Sequence, residues 1–331
     1  MTVEASFSAE VLKLHCARET LKITNKLREI VLKRFKKRGI VVALSGGIDS
    51  SVVGALCVRA LGKDRVFGLL MPEKDSAPET HELSQLISDH LEITTVCEDI
   101  TVVLQALRCY QRRDDAIRSV VQEYCPGFKC KIVLPSVLDD DRYRIFSVVV
   151  QSPDGRQKKV RLTLSAYLGI VAATNFKQRV RKMLEYYHAD RLNYVVVGTQ
   201  NRQEYDQGFF VKLGDGAADI KPIAHLYKTQ VYQMAEFLGV PEIICKRPPT
   251  TDTYPMRQSQ EEFYFPVPYD KMDLCLYGKN HGVPSEEVAP AVEMTARQVE
   301  RVYRDIDAKR NATRYLHTHS LLVDKVEEIS L

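Results

Sequence analysis

The chain has 331 residues, of which 45% are hydrophobic, and it is long enough to bury a core as one large α/β domain or as two unequal ones. Lys and Arg total 47 against 43 for Asp and Glu, and this net charge of +4 is too small and too spread along the chain to indicate a nucleic-acid-binding protein. No charged N-terminal region leads into an apolar one, and no apolar run approaches the roughly 20 residues that cross a bilayer. We therefore expect a soluble, cytoplasmic protein without a nucleic-acid or membrane partner.

The first predicted element is helical. Apolar residues recur at mostly helical spacing between residues 8 and 38, and Ser8 is a suitable N-cap. The basic run at 33–38 could bind a polyanion, but it lies where cations stabilise the C-terminal end of a helix and where Gly39 can cap it. Residues 1–38 are therefore assigned to an N-terminal helical segment, which could cover a sheet or serve in dimerisation.

Short apolar runs rich in β-branched residues follow, and helical patterns separate them. These runs are residues 40–44, 66–71, 93–96 and 194–197. Their alternation with helices predicts an α/β fold with a doubly wound parallel sheet. In such a sheet, ligands bind at the carboxyl ends of the strands.

One interval departs from this alternation. Strand-like patterns occur at residues 131–134, 143–150 and 160–164. Residues 152–155, Ser-Pro-Asp-Gly, have the composition of a hairpin turn. We interpret residues 131–164 as an inserted β-hairpin element.

The last part of the chain is predicted to be mainly helical. Its clearest helical patterns are residues 231–238, 269–276 and 292–311. We therefore divide a single domain, 1–331, into the N-terminal segment, a nucleotide-binding core at 39–252 that contains the insertion, and a helical C-terminal tail at 253–331.

A loop of small residues follows the first predicted strand and precedes a helical pattern. It reads Ser45-Gly46-Gly47-Ile48-Asp49-Ser50-Ser51. The glycines let backbone N–H groups turn toward an anion, the hydroxyls of Ser45, Ser50 and Ser51 can donate, and the helix N-terminus adds partial positive charge. The loop has no Walker lysine, but Asp49 supplies a carboxylate suited to Mg²⁺. This pattern predicts a phosphate-binding loop that differs from that of kinases and GTPases.

The loop sequence SGGIDSS after an apolar strand resembles the pyrophosphate loop of the N-type ATP pyrophosphatases, which split ATP between the α and β phosphates. That superfamily includes NAD synthases, GMP synthetases, asparagine synthetases, argininosuccinate synthetases and tRNA-thiolating enzymes. The resemblance implies an adenine nucleotide alpha-hydrolase-like, Rossmann-like fold and ATP as co-substrate. It does not select the second substrate.

Residues 198–222 narrow this choice. They read GTQNRQEYDQGFFVKLGDGAADIKP, which closely resembles the NAD synthase signature GT…E…GFFTKYGDGG.D..P. Further segments similar to motifs of that family are Asn175 with Arg179 and Arg181, Lys228 at a helix start, and residues 246–252. The resemblance covers the loop and most of 175–252, whereas 100–165 and the region beyond 253 match poorly.

The resemblance to NAD synthases implies roles for individual residues. The ATP-binding residues would be Ser45, Gly46, Gly47, Asp49, Ser50, Ser51, Thr199, Lys228 and Thr250. The substrate-binding residues would be Arg179, Lys212, Asp219 and Lys309. Asp49 and Glu204 would hold Mg²⁺, and Asp49, Lys212 and Lys228 would be the catalytic residues. These roles are physically sensible, because carboxylates with Mg²⁺ neutralise the triphosphate and lysines stabilise the charge on the leaving pyrophosphate.

The same resemblance implies a two-step reaction. A carboxylate, that of nicotinic acid adenine dinucleotide, attacks the α-phosphorus of ATP and releases pyrophosphate. Ammonia then displaces AMP from the mixed anhydride and leaves an amide. Nothing upstream of residue 40 is long enough for a glutaminase domain, so the ammonia would be free or delivered by a separate glutaminase. Members of the family commonly form homodimers, which we also expect here.

Two segments depart from the family pattern and leave alternatives open. Residues 260–273 replace a Leu-Gly pair by aromatic residues, and Ala308 stands where the family commonly has a histidine before the basic pair Lys309-Arg310. An amide ligase that acts on another carboxylate is therefore the main alternative. A tRNA-thiolating enzyme is disfavoured by the modest charge and by the lack of a catalytic cysteine pair. A nucleotide-binding regulatory protein is disfavoured because both predicted metal carboxylates, Asp49 and Glu204, are present.

Overall fold

The computed structural model of the protein describes residues 7–134, 146–250, 253–324 and 326–327. In chain order the strands are β1 Ile40–Ala43, β2 Val66–Leu70, β3 Thr94–Cys97, β4 Lys129–Val133, β5 Ser147–Gln151, β6 Gln157–Arg161 and β7 Val195–Val196. The α-helices are α1 Cys16–Arg28, α2 Ile48–Leu61, α3 Pro78–Leu91, α4 Thr101–Ala106, α5 Cys109–Arg118, α6 Leu164–Leu192, α7 Arg202–Gln207, α8 Lys228–Leu238, α9 Glu242–Cys245, α10 Gln260–Phe263, α11 Tyr269–Asn280, α12 Ser285–Val288 and α13 Ala296–Thr313.

Four strands form a parallel sheet in the order β3-β2-β1-β7. Ile40 of β1 pairs with Val66 on one side and with Val195 on the other. Because side chains alternate along a strand, Ile40 and Val42 join an apolar cluster with α1, α2 and α8, and Val41 joins a second cluster with α4, α5 and α6. Helices thus cover both faces of the sheet. The predicted α/β fold with a doubly wound parallel sheet is confirmed.

The N-terminal segment is helical, but its main helix starts later than predicted. Ser8 precedes only a 3₁₀ turn, Ala9–Leu12, and its side chain makes no capping hydrogen bond. The N-cap of α1 is His15, whose side chain accepts from the backbone N–H of Arg18. The buried side of α1 packs against α2 and α8, two of the helices that cover one face of the sheet.

The prediction that Gly39 caps the C-terminal end of the N-terminal helix is wrong. After the π-helical segment Glu29–Arg34, the chain passes through the left-handed region at Lys36, with φ 52°. Gly39 serves close packing instead, because a Cβ there would lie 2.5 Å from the ring of Tyr194 and 2.4 Å from the carbonyl oxygen of Arg65.

The insertion is a three-stranded antiparallel sheet, in the order β4-β5-β6. The hairpin turn falls where it was predicted, with Ser152 N–H donating to the carbonyl of Arg156 at 2.9 Å and Gly155 at φ +87°. The third strand ends at Arg161 rather than at residue 164, because Thr163 caps α6 through its side chain. Of the predicted second strand, residues 143–145 lie outside the described part of the chain. The sheet packs on α5 and on the start of α6.

Helices α10 to α13 form the C-terminal part. Residues of α11, α12 and α13 form an apolar cluster together with Leu12 and Tyr227. The helix predicted at 292–311 starts four residues later, since Thr295 is the N-cap of α13 and forms a capping box with Gln298. None of the helices in the described ranges is both long enough and apolar enough to cross a membrane.

Candidate active site

The loop between β1 and α2 has the backbone that an anion site requires. Gly46 has φ +68°, a conformation that glycine adopts without strain. A Cβ on Gly46 would lie 2.7 Å from the Cβ of Leu83 and 2.9 Å from the backbone nitrogen of Ser84. Glycine is therefore required here both by backbone conformation and by the close approach of α3.

Hydroxyl groups hold this loop in shape. Ser50 Oγ donates to the carbonyl of Gly47 at 3.0 Å, and Ser51 Oγ donates to the same carbonyl at 2.8 Å. The backbone N–H of Ser45 donates to Ser50 Oγ at 3.2 Å. These bonds tie the loop to the first turn of α2, whose N-terminus carries partial positive charge.

A buried lysine faces the loop from the first turn of α8. The Lys228 side chain is 2% exposed, and its ammonium group contacts the Asp49 carboxylate. Asn201 Nδ2 donates to Asp49 Oδ1 at 3.0 Å. Asn201 also caps α7, because its backbone N–H donates to Glu204 Oε2 at 3.2 Å and its Oδ1 accepts from the backbone N–H of Glu204 at 3.2 Å. One asparagine thus links both predicted metal carboxylates.

Burial and charge shift the pKa values of these groups. Burial raises the pKa of Glu204, and the nearby negative charge of Asp49 raises it further. Burial alone would lower the pKa of Lys228, but the charges of Asp49 and Glu204 outweigh burial and raise it. Lys228 therefore stays charged at neutral pH, and Glu204 lies in a site that favours a further cation.

These residues fit a magnesium ion that is bound together with a nucleotide. Mg²⁺ is usually held by one or two carboxylates, by phosphates and by water rather than by a cage of protein ligands. Asp49 and Glu204 both line the same cavity. Within the described ranges no group of three or more His, Cys, Asp or Glu side chains could hold a metal by itself. The donor set is thus suited to a cation that arrives with a phosphate ligand.

That cavity has a volume of about 630 Å³ and extends from the phosphate loop along α6. The predicted site residues that line it are Ser45, Gly47, Asp49, Ser50, Arg179, Thr199, Glu204, Lys212, Lys228 and Thr250. Along α6 its lining runs from Tyr167 to Glu185, a distance of about 27 Å at the helical rise.

Two of the predicted substrate-binding residues lie near the C-terminal helix α13. Lys212 Nζ donates to the carbonyl of Tyr315 at 2.7 Å and lies over the ring of that residue. Arg179 Nε donates to the carbonyl of Lys212 at 3.3 Å. These bonds join Lys212 to Tyr315 and Arg179 rather than to the Asp49–Lys228 pair. The catalytic and substrate-binding roles of Lys212 stay predictions.

The other two predicted substrate-binding residues are engaged in structural contacts. Asp219 Oδ2 accepts from the backbone N–H of Val196 at 2.8 Å, and its Oδ1 accepts from the hydroxyl of Tyr186 at 3.3 Å. Lys309 Nζ donates to the carbonyl of Tyr264 at 2.7 Å. Asp219 and Lys309 are not among the residues that line the cavity in the described structure. Their predicted contacts with substrate therefore stay predictions.

Sequence reasoning missed Asp273 as a member of the site. This residue of α11 is fully buried, and Gln203 Nε2 donates to its Oδ1 at 2.6 Å. The backbone N–H groups of Lys228 and Thr229 also donate to its carboxylate. An aspartate within a helical pattern gives no signal that it caps another helix 44 residues earlier.

A buried ion cluster beside the cavity was also missed. Lys177 Nζ donates to Glu73 Oε1 at 2.6 Å and to Asp75 Oδ2 at 2.9 Å. Arg113 pairs with Asp75 at 2.5 Å, and the hydroxyl of Tyr110 donates to Glu73 Oε2 at 2.7 Å. The cluster joins the segment after β2 to α5 and α6.

The capping role of Asn201 could have been predicted from the sequence, because Asn201 with Glu204 three residues later is a capping-box pattern.

Comparison with known protein families identifies the family of this chain. The family model described as NAD synthase matches residues 19–125 and 156–313. The chain belongs to the NAD synthase family. The match between these ranges is interrupted at 126–155, so β4 and β5 of the insertion lie outside the NAD synthase family model.

Individual members of the NAD synthase family agree with this assignment. The NH(3)-dependent NAD(+) synthetase of Rhizobium meliloti (strain 1021) is 58% identical over 323 residues, which cover 98% of this chain and 96% of that protein. The NH(3)-dependent NAD(+) synthetase of Thermotoga maritima is 36% identical over 259 residues, which cover 77% of this chain and 86% of that protein. The predicted family resemblance is confirmed.

Solved structures agree at the level of the fold. The NH3-dependent NAD synthetase from Campylobacter jejuni superposes with a TM-score of 0.62 at 21% identity and covers 94% of this chain and 100% of that chain. The NMN synthetase from Francisella tularensis superposes with a TM-score of 0.60 at 22% identity and covers 95% of this chain and 100% of that chain.

Proposed function

We propose that the protein catalyses the ATP-dependent amidation of nicotinic acid adenine dinucleotide with ammonia, which yields NAD, AMP and pyrophosphate. Similarity over 98% of the chain to a protein named NH(3)-dependent NAD(+) synthetase supports this substrate pair. The observation that carries the chemistry is that the phosphate loop, the Asp49–Lys228 pair and Glu204 line one cavity.

In the first step, an oxygen of the substrate carboxylate forms a bond to the α-phosphorus of ATP, and the bond to pyrophosphate breaks. Negative charge grows on the leaving pyrophosphate. The ammonium group of Lys228 and the N-terminus of α2 are suited to stabilise that charge. Mg²⁺, held by Asp49 and Glu204 together with the phosphates, would neutralise charge on the triphosphate.

In the second step, ammonia attacks the carbonyl carbon of the mixed anhydride, the bond to AMP breaks, and the nitrogen loses one proton to leave the amide. The anhydride must be protected from water until ammonia arrives. Aromatic side chains on one side of the cavity suit this task, since Phe209 stacks on Tyr264 with ring centroids 4.7 Å apart and Phe263 lies at 5.9 Å. These three aromatic side chains thus give the cavity an apolar part.

The protein is also proposed to form a homodimer through α6. Large apolar side chains are exposed along one side of this helix, among them Leu168 at 53%, Met183 at 58% and Tyr187 at 59%. Helix α1 is less suited to this role because its apolar side packs against α2 and α8. Light scattering should give twice the chain mass, and the double variant Met183→Glu, Tyr187→Glu should be monomeric. A monomeric wild type would contradict this proposal.

The function is tested by measuring NAD, AMP and pyrophosphate with ATP, Mg²⁺, nicotinic acid adenine dinucleotide and ammonium. We expect equimolar products, and free glutamine in place of ammonium should give no amide.

Asp49→Asn should lower kcat by about 100-fold or more, because it removes a proposed metal ligand and the partner of Lys228. Asp64→Asn, an exposed aspartate near the other end of α2, is the matched control. ATP cleavage that is independent of the dinucleotide and stimulated by another carboxylate would contradict the proposal.

A further inference from the structure

The inserted sheet is joined to a distant segment of the chain along the outer edge of β4. One edge of β4 pairs with β5, and residues 256–262 cover the other. The backbone N–H of Met256 donates to the carbonyl of Cys130 at 3.2 Å. The backbone N–H of Leu134 donates to the carbonyl of Glu262 at 3.1 Å. The insertion therefore has no free β4 edge in this region.

Side chains reinforce this connection. Lys131 Nζ lies 2.9 Å from both carboxylate oxygens of Glu262. The buried side-chain amide of Gln258 donates to the carbonyl of Ile132. A buried amide and a two-point ion pair give this junction a defined geometry, so β4 and residues 256–262 pack as one unit.

The segment held by β4 forms part of the cavity wall. Gln260 of this segment lines the cavity, and so do the residues on either side of it, Thr253, Tyr254, Phe263 and Tyr264. Gln260 Nε2 lies 3.5 Å from Glu204 Oε1, so the segment reaches the metal carboxylate. The inserted sheet thus supports the side of the cavity that faces the proposed reaction centre.

The insertion also contributes one side chain directly. Phe146, which precedes β5, lines the cavity next to Tyr167 of α6. The two rings are stacked, with centroids 4.3 Å apart and an interplanar angle of 14°. A stacked pair of this kind presents a flat apolar surface to a planar heteroaromatic ring. Dinucleotides carry two such rings.

We propose that the inserted sheet forms one wall of the reaction cavity, and that Phe146, supported by Tyr167, contacts the dinucleotide and contributes to its affinity. This inference rests on the proposed function and adds a specificity residue to it. Phe146 stacks on Tyr167 at the start of α6 rather than on a residue of the phosphate loop, so we expect its substitution to affect the dinucleotide rather than ATP.

The test compares Phe146→Ala with Phe128→Ala. Phe128 is a matched control because it is also partly buried in the apolar cluster of the insertion, packs on Tyr124 at 5.6 Å and does not line the cavity. Phe146→Ala should raise the KM for the dinucleotide about tenfold and leave the KM for ATP unchanged. Phe128→Ala should leave both KM values unchanged, and Phe146→Tyr should restore the wild-type KM.

Calorimetric titration of each variant with the dinucleotide alone gives a second readout, in which only Phe146→Ala should bind more weakly. Thermal unfolding monitors whether the insertion keeps its structure, and Phe146→Leu replaces the alanine variant if the latter does not fold. Wild-type NAD formation with an unchanged dinucleotide KM in Phe146→Ala would overturn this inference and leave the proposed function intact. If Phe128→Ala raised the KM for the dinucleotide as much as Phe146→Ala does, the inference would also be overturned. A wild type that forms no NAD would overturn the proposed function itself, and with it the inference.

Discussion

The carboxylate of Asp273 accepts a hydrogen bond from the backbone N–H of Lys228 at 3.2 Å, so a residue of α11 holds the first residue of α8. It also accepts from the backbone N–H of Thr229 at 2.6 Å and from Gln203 Nε2 at 2.6 Å. Gln203 precedes Glu204 in α7. Asp273 thus connects the helix that carries the buried lysine to the helix that carries Glu204, a proposed metal ligand.

Asp273→Asn should lower kcat about tenfold, because an amide in place of the carboxylate turns an N–H group toward at least one of these donors. A buried donor without an acceptor is unfavourable by about 1–3 kcal/mol. A small shift of α8 would give this donor another partner, but it would also move Lys228 out of its position in the site. Steady-state kinetics with the melting temperature measured in parallel checks this. The control is Asp270→Asn, an exposed residue one turn earlier in α11. Wild-type kcat in a folded Asp273→Asn protein would show that this carboxylate does not position the site.

The stability of the protein should depend on pH through the same residue. Burial raises the pKa of Asp273 from 3.8 to about 6, despite the hydrogen bonds that it accepts. A raised pKa in the folded state stabilises the protein fully below pH 3.8, and this contribution is lost as pH rises through about 6. The free energy of unfolding of the wild type, relative to Asp273→Asn, should fall by about 3 kcal/mol between pH 4 and pH 7. Urea unfolding across this range checks it, and a constant difference would contradict it.

Lys177→Met should lower the free energy of unfolding by about 3–5 kcal/mol, because it leaves the buried carboxylates of Glu73 and Asp75 without their shared cation. Lys158→Met provides the comparison, since Lys158 forms an exposed ion pair with Glu123 and should change stability little. Urea unfolding of the two variants at neutral pH gives the difference. Equal stability of the two variants would contradict the structural role of the cluster.

Gly46→Ala should abolish ATP binding, because its Cβ would meet Leu83 and the backbone of Ser84 and would force the phosphate loop to move. Gly62→Ala is a matched control, since Gly62 also has a positive φ, at +84°, but a Cβ there would have no neighbouring atom within 4 Å. It should lose about 1–3 kcal/mol of stability from backbone strain and keep the wild-type KM for ATP. A Gly46→Ala protein with unchanged ATP affinity would show that the loop tolerates a side chain.

Much of the fold was predictable because its signals are local. Apolar β-branched runs such as residues 40–44 predicted the parallel strands within one or two residues, and the Ser-Pro-Asp-Gly turn predicted the hairpin. The third strand of the insertion was placed too late, since the N-cap Thr163 starts α6 earlier than the apolar pattern suggested. The division into one domain, the homodimer, Mg²⁺ and the cytoplasmic location stay predictions.

The phosphate loop and the family were determined by the sequence alone. Each of these signals is a contiguous stretch of sequence: the small residues from Ser45 to Ser51, and the signature at 198–222. Both can therefore be recognised from residue type and order without knowledge of distant contacts. Only the tertiary structure decided which distant residues complete the site. Asp273 caps α8 across 44 positions, Lys177 meets Glu73 across 104, and Lys131 meets Glu262 across 131. The sequence around a single charged residue does not predict which distant residue it contacts. For Lys177 and Glu73 the physical reason is burial, because a buried charge is stable only beside its counterpart.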